Sequence, residues 1–134
     1  MKYIAISAVI IATFLLTGCT IRLPDTEVVT RIEIGEISTS DQEKIDAIMS
    51  ALSGARWRSW RAMNDTPLTP NQLAISPYGM FEGEEVLMAR LFLYEENGRE
   101  YIWNSYVGIY RISQENIDKI RQIYAEMRSL IEEN

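Results

Sequence analysis

The sequence predicts an α+β domain in which a small antiparallel sheet of 3–4 strands carries two helices packed on one face. Three observations support this fold class: a stretch of alternating apolar residues, a strong hairpin signal, and two stretches with helical spacing. The predicted order of elements is strand, helix, strand, hairpin, helix. Strands and helices that are segregated along the chain are typical of an antiparallel sheet covered on one side.

The first strand is predicted over residues 28–37, where β-branched and apolar residues alternate with polar ones. Ser40 and Glu43 then fit a capping box, so a helix is expected to begin at Ser40. Gly54 favours an end to that helix near Ser53. The core-facing stripe of the helix comprises Ile45, Ile48, Met49 and Leu52.

The segment from Arg56 to Arg61 reads Arg-Trp-Arg-Ser-Trp-Arg and is compatible with a strand or with more helix. The glycine at position 54 and the change in composition favour the strand. Residues 64–83 contain three of the four prolines in the chain, so they are expected to be mostly loop.

Asn97-Gly98 is a strong type I′ turn signal between two strands, residues 86–96 and 99–111. This turn places Glu96 opposite Arg99 and Phe92 opposite Trp103. The hairpin then has one aliphatic face and one aromatic face. A final helix follows, capped by Ser113, with a core stripe that comprises Ile117, Ile120, Tyr124, Met127 and Ile131.

The N-terminus has the layout of a secretion signal, with Lys2 before a short apolar run over residues 4–16. The run ends in Leu16-Thr17-Gly18-Cys19, which resembles the lipobox of bacterial lipoproteins. This resemblance implies cleavage between Gly18 and Cys19 and attachment of a diacylglyceryl group to the Cys19 thiol. The alternative is an ordinary signal or a short membrane anchor in which Cys19 is incidental.

These features predict a signal over residues 1–18, a lipidated N-terminus and tether over residues 19–27, and a single domain over residues 28–134. Two or three acyl chains would hold such a protein firmly to a bilayer. The expected location is therefore extracytoplasmic. The anchor would lie in the outer leaflet of the plasma membrane, or in the outer membrane if the host has one.

Composition excludes several classes of function. Removing residues 1–18 takes away one basic residue, Lys2, and leaves a net charge of −7, which argues against nucleic acid as a partner. The chain has no His and a single Cys, so catalysis with a His base and zinc sites built from His and Cys are absent. No pair of carboxylates stands out by its spacing. We therefore expect no enzyme activity, no catalytic residue, no metal and no cofactor.

Residues 40–124 resemble a family of small, uncharacterised secreted or lipid-anchored domains of Gram-positive bacteria. The resemblance implies a fold and a location, and it implies no activity. It rests on three short motifs: Asn64-Asp65-Thr66-Pro67, Leu91-Phe92-Leu93-Tyr94-Glu95-Glu96-Asn97-Gly98, and Tyr106-Val107-Gly108-Ile109-Tyr110.

The main candidate binding surface is the aromatic face of the hairpin, because aromatic side chains are typical anchors of interfaces. An envelope protein or a glycan is the expected partner. The alternative is that residues 64–83 or a helix cover this face internally. The residues of this candidate surface are Arg90, Phe92, Tyr94, Tyr101 and Trp103.

A second candidate is the basic cluster of Arg56, Arg58 and Arg61 interleaved with Trp57 and Trp60. Such a cluster can contact acidic headgroups, a teichoic-type polymer or a carboxylate. The alternative is an ordinary strand whose arginines pair with surface acids.

Together these observations predict a non-catalytic, lipid-anchored domain that presents an interaction surface at the bacterial envelope. The alternative is a small inhibitor or exclusion-type lipoprotein that blocks a lytic enzyme or a phage receptor. Residues 64–83 would then form the projecting loop.

Overall fold

The computed structural model describes residues 20–59 and 66–133, and the predicted signal and Cys19 lie outside them. In this part of the chain one antiparallel sheet contains eight strands, so the predicted sheet of 3–4 strands is wrong. The strands lie in the order β2-β1-β4-β6-β7-β8-β3, and β5 pairs with β4. In chain order the elements are β1 (Val29–Ile34), β2 (Ile37–Thr39), α1 (Gln42–Ser53), β3 (Arg56–Ser59), β4 (Leu73–Phe81), β5 (Glu84–Leu87), β6 (Leu91–Glu96), β7 (Arg99–Asn104), β8 (Gly108–Arg111) and α2 (Gln114–Glu132).

One extra strand lies in a segment where proline and glycine had indicated a loop. Strand β4 lies within the predicted loop, and it contains Pro77 and Gly79. The carbonyl of Pro77 accepts the Met88 N–H at 2.9 Å, on the side where β4 changes its partner from β6 to β5. The proline therefore needs no ladder donor at that position, which is how a sheet accommodates it.

The other new strands arise where a predicted strand is divided. The first strand turns at Gly35, which has a φ of +60°, and returns as β2. The segment from Met88 to Arg90 separates β5 from β6, and a turn centred on Tyr106 separates β7 from β8. The order of elements therefore differs from the predicted one.

Both helices pack on the face of the sheet that carries Leu91, Leu93 and Ile102, where they enclose the main core. The end of α1 before Gly54 and the Ser113 cap of α2 are both confirmed. The predicted cap of α1 is wrong by one residue, because Asp41, and not Ser40, accepts the Glu43 N–H. Asp41 also pairs with Lys44 at 3.0 Å, and this ammonium group lowers the pKa of the Asp41 carboxyl.

The segment predicted to be a tether packs against the domain. Thr20 forms an antiparallel bridge with Arg56, and the Ile21 N–H donates to the Ala55 carbonyl at 3.0 Å. The side chain of Ile21 is buried in the main core, and a single 3-10 turn at Thr26–Val28 leads into β1. Apolar side chains at positions 21 and 23 explain why this segment does not extend into solvent.

Candidate functional site

The hairpin of β6 and β7 has the predicted register. Glu96 lies opposite Arg99, Tyr94 opposite Tyr101, and Phe92 opposite Trp103, so this prediction is confirmed. The aromatic side chains therefore share the face opposite the helices. With Ile109 of β8 they form a second apolar cluster, here called the aromatic cluster: Phe92, Tyr94, Tyr101, Trp103 and Ile109.

The aromatic cluster is buried. Its rings are 2% to 8% exposed, so they do not form an open binding surface. The Tyr94 ring lies 5.9 Å from that of Tyr101 and 5.8 Å from that of Trp103, the latter in an edge-on arrangement. Such pairs stabilise a sheet. This face is therefore covered, as in the alternative, and Ala74 of β4, which belongs to the predicted loop, packs against it.

The hydroxyl of Tyr94 is buried and has no hydrogen-bond partner among the described residues. Burial raises the pKa of this phenol to about 12, the nearby Glu96 carboxylate adds to the increase, and the Arg58 guanidinium opposes it. The Tyr94 hydroxyl is therefore an unsatisfied polar group in an otherwise apolar layer. The charges of Glu96 and Arg58 are close enough to affect its pKa.

The arginines of β3 and β8 border the aromatic cluster. Arg56 lies directly opposite Arg111 in the β3–β8 pairing, and Arg111 in turn lies opposite Tyr101. Like charges directly opposite each other on neighbouring strands are destabilising. Neither Arg56 nor Arg111 has an ion pair within the part of the chain that the structure describes.

Arg58 contacts both the aromatic cluster and a nearby carboxylate. Its guanidinium carbon lies 4.0 Å from the centre of the Tyr101 ring, and Nη1 lies 3.6 Å from the Glu96 carboxylate. Arg56 and Arg58 share this face because they are two residues apart in a strand, and the bulge between Trp57 and Ser59 brings Ser59 to the same face, opposite Ile109. We call Arg56, Arg58 and Arg111 the arginine rim.

Two shallow pockets adjoin the arginine rim, and Arg111 contributes to both. The first has a volume of about 300 Å³, and its residues are Arg58, Ser59, Glu96, Ile109 and Arg111. The second has a volume of about 290 Å³ and lies between the β6–β7 turn and the start of α2. Three arginines line the two pockets, Arg58, Arg99 and Arg111, together with two carboxylates, Glu96 and Glu100. Glu100 is paired with Arg121, and Arg56 lies opposite Arg111, so this site can bind an anionic group.

The structure brings together only part of the predicted site. Arg90 is exposed in the link between β5 and β6, at the Phe92 end of the aromatic face and away from the arginine rim. Trp60 and Arg61 lie outside the described residues. Arg111 was missed, because its relation to Arg56 depends on the pairing of β3 with β8, and neither turn length nor periodicity reveals a pairing between distant strands.

Acidic clusters give no further site in the described ranges. Within residues 20–59 and 66–133 there is no group of three or more acidic, His or Cys residues that could hold a metal ion. Glu85, just after the turn between β4 and β5, instead forms a salt bridge with Arg31, with Nη2 and Oε1 2.7 Å apart. Neither of the two helices in those ranges has an apolar stretch of the length that a membrane-spanning helix requires.

Comparison with known proteins places this arrangement in a family. A family model described as "Domain of unknown function (DUF5300)" matches residues 17–111. The chain belongs to this family, DUF5301. The matched region ends at Arg111, so it includes the whole sheet, α1 and the complete arginine rim, but not α2.

A solved structure supports the fold of this DUF5301 domain. The NMR structure of a protein from Ruminococcus gnavus is 28% identical and has a TM-score of 0.56. The alignment covers 72% of this chain and 98% of that protein. A search of curated proteins gave no match.

Proposed function

We propose that this DUF5301 chain is a non-catalytic, lipid-anchored extracytoplasmic domain whose interaction surface is the arginine rim. The partner is an anionic group of the bacterial envelope, carried by a protein or a glycan or by another envelope component. The observation that carries the proposal is the direct opposition of Arg56 and Arg111 without an ion pair among the described residues. A bound phosphate or carboxylate would relieve their repulsion, because guanidinium groups bind such anions with two parallel hydrogen bonds.

The membrane anchor is tested by Cys19→Ser. The variant should take up no labelled fatty acid and should accumulate as an unprocessed precursor or as a soluble product, because Cys19 is the single thiol of the chain to which a diacylglyceryl group could be attached. The measurement is metabolic labelling with a fatty acid followed by membrane fractionation. Equal labelling of wild type and variant would show that the anchor proposal is wrong.

The arginine rim is tested by titrating the chain from Cys19 onward with glycerol 3-phosphate and observing the arginine Nε–H signals by NMR. We expect the signals of Arg58 and Arg111 to shift, since their guanidinium groups adjoin the first pocket. Arg111→Gln should abolish these shifts without loss of stability, because it also removes one member of a like-charged pair.

Arg128→Gln is the matched control, since Arg128 is an exposed arginine of α2 that makes an i,i+4 ion pair with Glu132. It should leave the titration unchanged. Shifts of equal size at all arginines, Arg128 included, would indicate binding without a site and would refute the proposed surface.

An inhibitor or exclusion-type role is the second candidate, and within residues 64–83 the projecting element is the end of the hairpin of β4 and β5, not an irregular loop. The side chains of Met80 and Phe81 are 55% and 64% exposed beside its turn at Glu82-Gly83. Exposed apolar side chains at the end of an ordered hairpin are suited to entering a cleft. This role would depend on Met80 and Phe81 and would not require the arginine rim.

A further inference from the structure

The segment that follows the proposed anchor is held at one edge of the sheet. In the sequence Cys19 directly precedes Thr20. Thr20 pairs with Arg56, and the next residue is held to Ala55 by its backbone N–H. A lipid on Cys19 would therefore hold the β3 edge at the bilayer surface without a spacer.

The strands at this edge carry arginines and no acidic residue, although the protein as a whole is acidic. None of the 19 acidic residues falls within residues 47–64 or 101–114, the stretches that supply β3, β8 and most of β7. Arg22 adds to the positive charge there, and its charge partly offsets the increase that burial causes in the pKa of Tyr110 in β8. The chain from Cys19 onward is thus polarised, because β3 and β8 carry arginines and no acidic residue, while Glu96 and Glu100 are the carboxylates that line the two pockets beside them.

We infer that the anionic group bound by the arginine rim is the phosphate headgroup of the bilayer that holds the anchor. This inference rests on the proposed function and adds the identity of the ligand. The basic edge attracts an anionic leaflet while the acidic remainder of the domain is repelled by it, so the two forces favour one orientation. In that orientation the domain lies with β3 on the membrane, and β8 is the next strand away from it.

The experiment uses the single thiol of the chain. The protein from Cys19 onward is coupled through Cys19 to a maleimide lipid, in neutral phosphatidylcholine vesicles or in vesicles with roughly a third phosphatidylglycerol. An arginine-selective glyoxal reagent then modifies the exposed guanidinium groups, and mass spectrometry gives the rate at each residue. On anionic vesicles the rates at Arg22, Arg56 and Arg111 should fall about threefold or more, and about 0.5 M NaCl should abolish this protection.

Arg128 of α2 serves as the internal control and should react at the same rate on both kinds of vesicle. The double variant Arg56→Gln/Arg111→Gln should lose the protection at Arg22, whereas Lys119→Gln/Arg128→Gln, which removes two exposed charges of α2, should keep it. Equal rates on neutral and anionic vesicles would overturn the inference. It would also be overturned if added polyglycerol phosphate, and not the anionic bilayer, protected these arginines.

The coupling is chemical, so the result does not depend on whether the host acylates Cys19. Failure of fatty-acid labelling would refute the proposed anchor, and failure of the glycerol 3-phosphate titration would refute the rim as an anion site. Unprotected arginines on anionic vesicles, with both of those tests positive, would refute only the bilayer as the source of the anion.

Discussion

Trp103→Ala is expected to lower the free energy of unfolding by about 3–5 kcal/mol. Trp103 is only 8% exposed and packs edge-on against Tyr94 within the aromatic cluster. Truncation would remove the largest ring of that cluster and leave a cavity on the face of the sheet that the helices do not cover. Chemical denaturation monitored by circular dichroism measures the loss. A change below about 1 kcal/mol would contradict a buried role for this ring.

Tyr94→Phe is the matched control, since it keeps the ring and removes a buried hydroxyl without a partner among the described residues. Its stability should be equal to or higher than that of the wild type. Burial raises the pKa of Tyr94 to about 12, whereas in the unfolded chain this phenol has its ordinary pKa near 10. Below about pH 10 the phenol is neutral in both states. As the pH rises from about 10 to 12 the unfolded chain ionises first and the fold loses stability, and Tyr94→Phe should remove this part of the alkaline destabilisation.

Gly79→Ala is the second substitution with a large expected effect, about 2–3 kcal/mol or more. A Cβ at this position would lie 2.5 Å from the Met88 sulfur and 2.5 Å from the Val28 carbonyl oxygen. The thioether can move, but the carbonyl belongs to the backbone beside the bulge between Val29 and Arg31. The pairing of β1 with β4 must therefore shift at this end. Thermal unfolding and amide exchange in β1 measure the effect.

Gly83→Ala separates this clash from the general cost of replacing a glycine. Gly83 lies in the same hairpin with a φ of +82°, and a Cβ there would meet nothing within 4 Å. Only backbone strain of about 1 kcal/mol is expected. Equal losses in the two variants would show that close packing at Gly79 is not the cause.

Local signals in the sequence predicted the features that depend on neighbouring residues. Asn97-Gly98 fixes the register of β6 and β7, Ser113 caps α2, and Gly54 ends α1. Each depends on a turn or a cap formed within a few residues. For the same reason the division of the aliphatic and aromatic faces could be deduced before the structure was known.

The remainder of the sheet depends on partners that are distant in sequence. Pro77 and Gly79 indicate a loop when they are considered alone, and they are accommodated in β4 only because a change of partner and a close approach by Val28 occur there. The candidate site could not be predicted from the sequence for the same reason. Its main feature, Arg56 opposite Arg111, joins residues that are far apart in the chain and share no local motif.

The placement of β3 also constrains the sequence of folding events. Strand β3 directly follows α1, yet its partner in the sheet is β8, the last strand in the chain. Long-range pairing of this kind is slow because a long loop must close before the contacts form. Thr20 in turn pairs with Arg56 of this edge strand. The residue next to the proposed lipid is therefore bound to a strand whose own place in the sheet depends on the last strand of the chain.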